Sequence, residues 1–313
     1  MVRIVFAGTP ALAVPSLRGI VQSAHEVVAV VTRPDGRTGR GQRVAESAVS
    51  QAANEFGIPV LKPSSPREPS FEEDLSRFQA DAAAVVAYGG LLPAAVLGIP
   101  RHGWINLHFS LLPAWRGAAP VQHAIWHGDQ ITGATTFRIV EELDAGPVFG
   151  MMTYQISPAA TSGEVLRNLA DDGAKLLLTT LDLIATGQAR PEAQSTDGVS
   201  YAAKISAGDA AVDWTAPAQS VDRQIRACTP SPGARTLFRG ERLKIWPVSL
   251  AASGTDRVLG TPPGAIRLTK HSVFAGTGSG EVVLGDISPA GKARMDAASW
   301  ARGVRIEDGE RLG

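Results

Sequence analysis

The first 140 residues alternate between two kinds of segment, and this alternation limits the fold more than any other feature of the chain. Residues 4–7, 27–31, 59–61, 82–87 and 104–108 are short apolar runs. Residues 11–21, 46–56, 71–78, 93–97 and 120–126 carry helical patterns. Strands that are apolar at nearly every position, rather than at every second one, are buried on both faces. Strand–helix alternation of this kind predicts an α/β fold, a Rossmann-like, mostly parallel sheet with helices on both faces. Residues 134–140 and 148–156 read as two further strands that form a hairpin at the sheet edge. Thr161-Ser162-Gly163-Glu164 then opens a long helix, which Gly187 stops.

The last third changes character. After one helical pattern at 216–227, short strands at 236–238, 243–248, 264–268, 272–275 and 281–287 are broken by Gly and Pro, and a final helix is expected at 295–302. Many short strands at this spacing predict a small OB-like β-barrel domain. The expected organisation is a catalytic domain over residues 1–187, a polar linker over 188–204 and the barrel over 205–313.

Composition narrows the functional classes. The formal net charge is zero, which argues against a general nucleic-acid binder. Residues 1–204 carry a small excess of acids, and residues 205–313 an equal excess of bases, which leaves room for a local basic surface. The single cysteine, Cys228, excludes an internal disulfide framework and a multi-cysteine metal site. No apolar run approaches membrane-spanning length. A cytoplasmic protein, monomeric and without a membrane partner, is expected.

The chemistry concentrates in Asn106-Leu107-His108-Phe109-Ser110-Leu111-Leu112-Pro113 and in Leu143-Asp144-Ala145-Gly146. At alternate positions of one strand, Asn106 and His108 project to the same side. An aspartate reaching that point, Asp144, orients the imidazole and raises its proton affinity. An amide donor beside a cationic imidazole suits a developing oxyanion. Together these residues predict acyl-group transfer without a metal or a covalent nucleophile. His102, His123 and His127 form no metal-ligand pattern, and Glu141-Glu142 reads as a solvated turn. The single glycine of Ala7-Gly8-Thr9-Pro10 is a poor dinucleotide signal.

Residues 32–44 form a longer connection than a simple βα turn, rich in arginine and glycine. Its functional reading is an arm in which Arg33, Arg37, Arg40 and Arg43 fold onto a phosphate backbone, with glycines allowing close approach. Its bland reading is a solvated loop.

These motifs carry a resemblance. Asn106-x-His108-x-Ser110-Leu111-Leu112-Pro113, Arg116-Gly117-Ala118-Ala119-Pro120 and Leu143-Asp144-x-Gly146 resemble the folate-dependent formyltransferases. Phe6-Ala7-Gly8-Thr9-Pro10, Gly39-Arg40-Gly41, Val85-Val86-Ala87-Tyr88-Gly89 and Asp213-Trp214 extend the match along the whole chain. The resemblance implies 10-formyltetrahydrofolate as co-substrate, held near Ser110, Leu111, Leu112 and Pro113 and near Val86, Tyr88 and Gly89, with no metal. It implies that the acceptor is the α-amine of initiator methionyl-tRNA, gripped by the arginine arm and the C-terminal barrel. A small amine, such as a glycinamide nucleotide or an amino sugar, is the alternative acceptor. Phe109, where the family commonly has glycine, and residues 139–142 depart from the pattern.

Overall fold

The computed structural model describes residues 1–38, 43–251, 260–307 and 309–313. The chain divides into two compact units. One comprises Met1–Gly117, Ile131–Gln155 and Leu166–Tyr201; the other comprises Ala118–Gln130, Ile156–Val165 and Ala202–Gly313.

The first unit is built on a seven-stranded sheet. Its strands are β1 (Arg3–Gly8), β2 (Glu26–Val31), β5 (Val60–Leu61), β6 (Ala82–Val86), β7 (Trp104–His108), β9 (Ile131–Arg138) and β10 (Val148–Gln155), in the order β10-β9-β7-β6-β1-β2-β5. The five strands from β7 to β5 are parallel. β9 runs antiparallel to β7 and to β10, so the expected hairpin does close one edge. Between β2 and β5, the strands β3 (Gly36–Thr38) and β4 (Arg43–Ala45) pair antiparallel to each other. β8 is the two-residue segment Arg116–Gly117.

Alternation along the strands sends successive side chains to opposite faces. Val5, Ala7, Ala83, Val85 and Trp104 share one face and bury Phe71 and Leu75 of a helix over Pro69–Arg77 (α3) and Val96 of a short helix over Ala94–Leu97 (α4). On the opposite face Leu107 meets α6 (Ser162–Ala185): a Cβ added at Gly173 would stand 3.0 Å from Leu107 Cδ2. Thr136 and Thr180 join their hydroxyls there at 2.8 Å. Helices therefore cover both faces, and Asn106 and His108 share the face of Trp104. Two further helices precede α3: α1 (Val14–Val21), and α2 (Ala48–Glu55), whose N-cap Ser47 accepts the Ser50 N–H. Ser47 satisfies an amide that the first helical turn leaves without a partner.

The second unit contains α5 (Pro120–His127) and the start of α6. Thr161 and Glu164 form a reciprocal capping box at that start. β11 is Tyr201–Ala202, and α7 spans Ala218–Ala227. One antiparallel sheet has the order β12-β13-β18-β19, from Arg235–Phe238, Glu241–Ile245, Asp286–Pro289 and Met295–Asp296. The other has the order β14-β17-β16-β15, from Ser249–Leu250, Gly280–Leu284, Val273–Thr277 and Ile266–Leu268. Both bury alternate apolar residues in one core with Trp214, Ile225 and Trp300, the last from helix α8 (Ala297–Val304).

Gly8 ends β1 where the backbone of β6 and the following turn converge. A Cβ there would lie 2.9 Å from the Val86 carbonyl oxygen, from Ala13 Cβ and from Phe6 Cε1. The glycine of Ala7-Gly8-Thr9-Pro10 is thus demanded by packing. Gly8→Ala is expected to cost about 1–3 kcal/mol, the range for an overpacked core position, read as a lower urea midpoint at unchanged slope.

Candidate active site

His108 is the last residue of β7 and is 6% exposed. Its Nε2 lies 2.9 Å from the carbonyl oxygen of Trp115. A carbonyl only accepts, so Nε2 carries a hydrogen and, in the neutral ring, Nδ1 is the free acceptor. Nδ1 faces Asp144 Oδ2 at 3.7 Å, beyond hydrogen-bond reach but close enough for strong charge interaction. The ring also meets Phe137 edge-on. Asn106, two residues earlier, is half-buried and stands between Val85 of β6 and Phe137 of β9 in the sheet register.

Asp144 sits in the turn between β9 and β10, with φ of 49° in the left-handed region. Its Oδ2 accepts the Gly117 N–H at 2.7 Å. Gly146 is required for a steric reason: a Cβ there would overlap the Arg138 carbonyl oxygen. The β7 end, the 115–117 segment and the β9–β10 turn thus bring His108 and Asp144 together.

The expected upward push of Asp144 on the ring is present, but it is not the dominant influence. Burial is the largest influence on the ring and pulls its pKa below the ordinary histidine value. The Asp144 carboxylate and the Trp115 carbonyl push upward and only partly offset that loss of hydration.

The Ser110–Pro113 segment is a scaffold with its side chains committed. Ser110 Oγ donates to the Ala114 carbonyl at 2.6 Å, while Thr135 Oγ1 donates to the Ser110 carbonyl and accepts from the Leu112 N–H. Leu112 is buried against Phe137 and Val148, and Leu111 is half-buried beside Gly133. Pro113 is half-buried and follows a cis peptide. Phe109 is buried and is absent from the positive-φ residues, so its position does not need glycine. The other departure from the family pattern is also accommodated: Ile139 packs with Leu112 and Phe137, and Glu142 pairs with Arg116 at 3.1 Å.

At the ends of β1, β2 and β6, Thr9 donates its hydroxyl to the Tyr88 carbonyl and accepts the Arg33 N–H. Val86 is fully buried and Gly89 has φ of 78°. Tyr88 is 3% exposed, and its hydroxyl has no hydrogen-bond partner among the described residues. Burial pushes its pKa up, with Arg33 opposing. In an open parallel sheet this carboxyl end is where ligands bind.

Arg33 is half-buried, Arg37 lies in β3 and Arg43 in β4; Arg40 lies outside the described residues. The base of this arm is fixed by Lys62, which sequence reasoning does not single out. Its Nζ contacts Asp35 at 2.7 Å and Glu46 at 3.1 Å. Burial lowers its pKa, but the hydrogen bonds to the two carboxylates outweigh it and hold the ammonium above the usual lysine range.

Gln194 also escapes sequence reasoning, since nothing in a polar segment marks it. It lines an open cleft of ≈ 560 Å³ with Arg116, Glu142, Ala145, Pro147 and Tyr201. Elsewhere, His123 and His127 bond to the carbonyls of Ala203 and His123. Burial is the main reason that His102 has a lowered pKa. Cys228 is buried and its thiol is pushed up to about 11, which makes it a poor nucleophile at neutral pH. No group of His, Cys, Asp or Glu among the described residues is arranged to hold a metal. Among the same residues, no helix is long and apolar enough to cross a membrane.

Comparison with known proteins identifies the family. A family model described as formyl transferase matches residues 2–181, and one described as the formyl transferase C-terminal domain matches residues 204–305. The chain is 55% identical over 311 residues to a methionyl-tRNA formyltransferase of Nocardioides sp., covering 99% of this chain and 98% of that protein. It is 57% identical over 311 residues to one of Saccharopolyspora erythraea, covering 99% of each. Solved structures with the same fold include HypX from Aquifex aeolicus in complex with tetrahydrofolic acid. That match has a TM-score of 0.67 and 18% identity over 96% of this chain; the chain spans about half of HypX, 47%. A methionyl-tRNA formyltransferase from Clostridium thermocellum matches with a TM-score of 0.57 and 12% identity, over 80% of this chain and 94% of that one. With both of its domains matched and relatives above half identity along nearly its full length, the chain belongs to the formyl transferase family.

Proposed function

We propose that the protein transfers the formyl group of 10-formyltetrahydrofolate to the α-amine of initiator methionyl-tRNA, acting as a monomer in the cytoplasm. The observation that carries this reading is the apposition of His108 and Asp144 beside the strand that bears Asn106. Residues 1–187 supply the catalytic side chains and 205–313 hold the tRNA, while residues 188–201 pack within the first unit rather than forming a free linker.

The neutral amine attacks the formyl carbon, forming a C–N bond and moving a carbonyl electron pair onto oxygen. Asn106 donates its amide N–H to that oxyanion. The amine nitrogen becomes positive and must lose a proton. His108 Nδ1 accepts it, since Nε2 is already committed to Trp115. The resulting imidazolium lies between the Trp115 carbonyl and the Asp144 carboxylate, two groups that favour the charged ring. Collapse of the tetrahedral intermediate breaks the bond from the formyl carbon to N10 of the folate, and the proton passes from His108 to N10. No acyl-enzyme forms.

The folate lies against the main chain of Ser110–Pro113 and the strand end at Val86, Tyr88 and Gly89. Main-chain contacts suit that loop because the Ser110 and Leu112 side chains already have partners; the Tyr88 hydroxyl, buried and without a hydrogen-bond partner among the described residues, would reach the folate only if the strand end opens. Arg33, Arg37, Arg40 and Arg43 grip the acceptor end of the tRNA. In the second unit, β12 and β13 pair Arg235 with Lys244, and both Lys244 and Arg294 rest on the ring of Trp246, at 4.4 and 4.1 Å. A cationic sheet face with an aromatic ring fits a phosphate backbone.

The decisive experiment follows formyl transfer from labelled 10-formyltetrahydrofolate to charged initiator tRNA, charged elongator tRNA, a glycinamide nucleotide and an amino sugar. Transfer to the initiator alone is expected; preference for either small amine overturns the assignment. In the same assay Asn106→Ala should lower kcat by about 10²–10³, the usual cost of one oxyanion donor, with KM for tRNA unchanged.

A ring that must be neutral to accept a proton gives a rate that rises with pH through its pKa and is level above it. Since burial lowers that pKa, the limb due to His108 should lie on the acid side of the ordinary histidine range. It should be missing from the residual activity of His108→Asn, while the limb due to the substrate amine is common to both proteins. Replacing Arg37, Arg40 and Arg43 with glutamine should raise KM for tRNA and flatten its salt dependence, by about one unit of log–log slope for each phosphate no longer neutralised. Turnover of bound tRNA should not change.

A further inference from the structure

We propose that Gln194 is a positioning residue that holds Asp144 in reach of His108, with Arg116 as its lock. This rests on the reading of Asp144 given above. Asp144 adopts a left-handed backbone although it is not glycine, at φ of 49°. Such a conformation persists only where surrounding contacts enforce it. The Gln194 side chain supplies them: Nε2 donates to the Asp144 carbonyl at 2.7 Å and to the Gly146 carbonyl at 2.8 Å. Both hydrogens of the amide are thereby used on the one turn.

The other end of the amide is held as firmly. Gln194 Oε1 accepts from Arg116 Nε at 3.2 Å and from Arg116 Nη2 at 2.8 Å, a two-point contact that fixes which way the amide faces. Arg116 is 7% exposed, and its Nη1 reaches Glu142 in the same turn as Asp144. The backbone on either side of Arg116 touches both halves of the pair: Trp115 accepts from His108, and Gly117 donates to Asp144. Trp115, like Asp144, has positive φ, at 60°. The segment is pinned from outside by Ser200, whose hydroxyl accepts the Trp115 N–H and whose carbonyl accepts the Arg116 N–H. One side chain from residue 194 therefore sets the register of the turn that carries the carboxylate against the segment that carries the ring's partner.

Gln194→Glu separates positioning from folding. A carboxylate keeps and strengthens the contact with Arg116, but it has no hydrogen for the carbonyls of Asp144 and Gly146. The variant is expected to fold, with a modestly lower thermal midpoint because two carbonyls lose their donor, and to keep KM for tRNA and folate. Its kcat should fall on the order of 10²-fold, the scale of a displacement near 1 Å at a catalytic group. Its His108 limb should move to lower pH, because a displaced Asp144 no longer favours the charged ring. Gln194→Met, which lacks every polar contact, should show the same loss of kcat and serves if the glutamate variant does not fold. Asp144→Asn is assayed beside them. An inactive Asp144→Asn with a Gln194→Glu that retains full kcat and an unmoved acid limb overturns the inference alone. A fully active Asp144→Asn overturns the reading of Asp144, and the inference with it.

Discussion

An imidazole with a proton acceptor opposite each nitrogen is the constraint from which the rest of this site follows. In the neutral ring only one of those acceptors can receive a hydrogen bond. Trp115 takes it, and the other nitrogen faces a carboxylate across 3.7 Å with no proton between them. Lone pair then faces negative charge, and the pair gains by taking up a proton. Burial acts against that, because an imidazolium loses more hydration than an imidazole. The balance lowers the His108 pKa while its surroundings are already arranged for the charged form. In the proposed mechanism, a proton released nearby by the attacking amine meets an acceptor whose dipoles need little rearrangement, a form of electrostatic preorganisation.

Keeping those two acceptors in place explains the unusual backbone around them. Neither Trp115 nor Asp144 is glycine, yet both have positive φ, and each such residue costs of order 1–3 kcal/mol. The compensation is a dense set of short-range bonds, from Ser200 to the 115–116 segment, from Gly117 to Asp144, and among Gln194, Arg116 and the Asp144 turn. Most of these bonds use main-chain groups on at least one side. The surroundings can therefore change in sequence while the geometry of the pair is kept. Phe109 and residues 139–142 fit beside His108 and Asp144 without displacing them.

Sequence patterns make the fold legible for a physical reason. Strands buried on both faces leave a continuous apolar signature, as in residues 82–86, whereas the edge strand Val148–Gln155 alternates between covered and exposed positions. Asn106, His108 and Asp144 are legible because strand alternation and a glycine-bounded turn leave local marks. Gln194 and Lys62 are not, because their importance lies in partners 50 or 27 residues distant in the chain. A glutamine in a polar stretch and a lysine after a short strand look like ordinary surface residues. The net direction of the His108 shift is not legible from sequence for a related reason. A nearby acid is visible in the motif, but the degree of burial that outweighs it arises only when β7, β9 and the 110–117 loop close together.

These two inconspicuous residues stand at the two places where the first unit must hold charge at a fixed position. Lys62 ties Asp35 to Glu46 on either side of residues 36–45, and in the role proposed for that arm it neutralises acids that would repel a phosphate backbone. Gln194 ties the Asp144 turn to Arg116, which leaves the Asp144 carboxylate free of a direct partner cation and so available to the ring. The contrast follows from what each charge is for. In the proposed role, an arm that attracts RNA gains when its carboxylates are cancelled by lysine. A carboxylate that must favour a transient imidazolium loses that capacity if an arginine pairs with it directly. Placing a neutral amide between Arg116 and the Asp144 turn supplies rigidity without that cancellation, and Arg116 spends its charge on the outward-facing Glu142 instead.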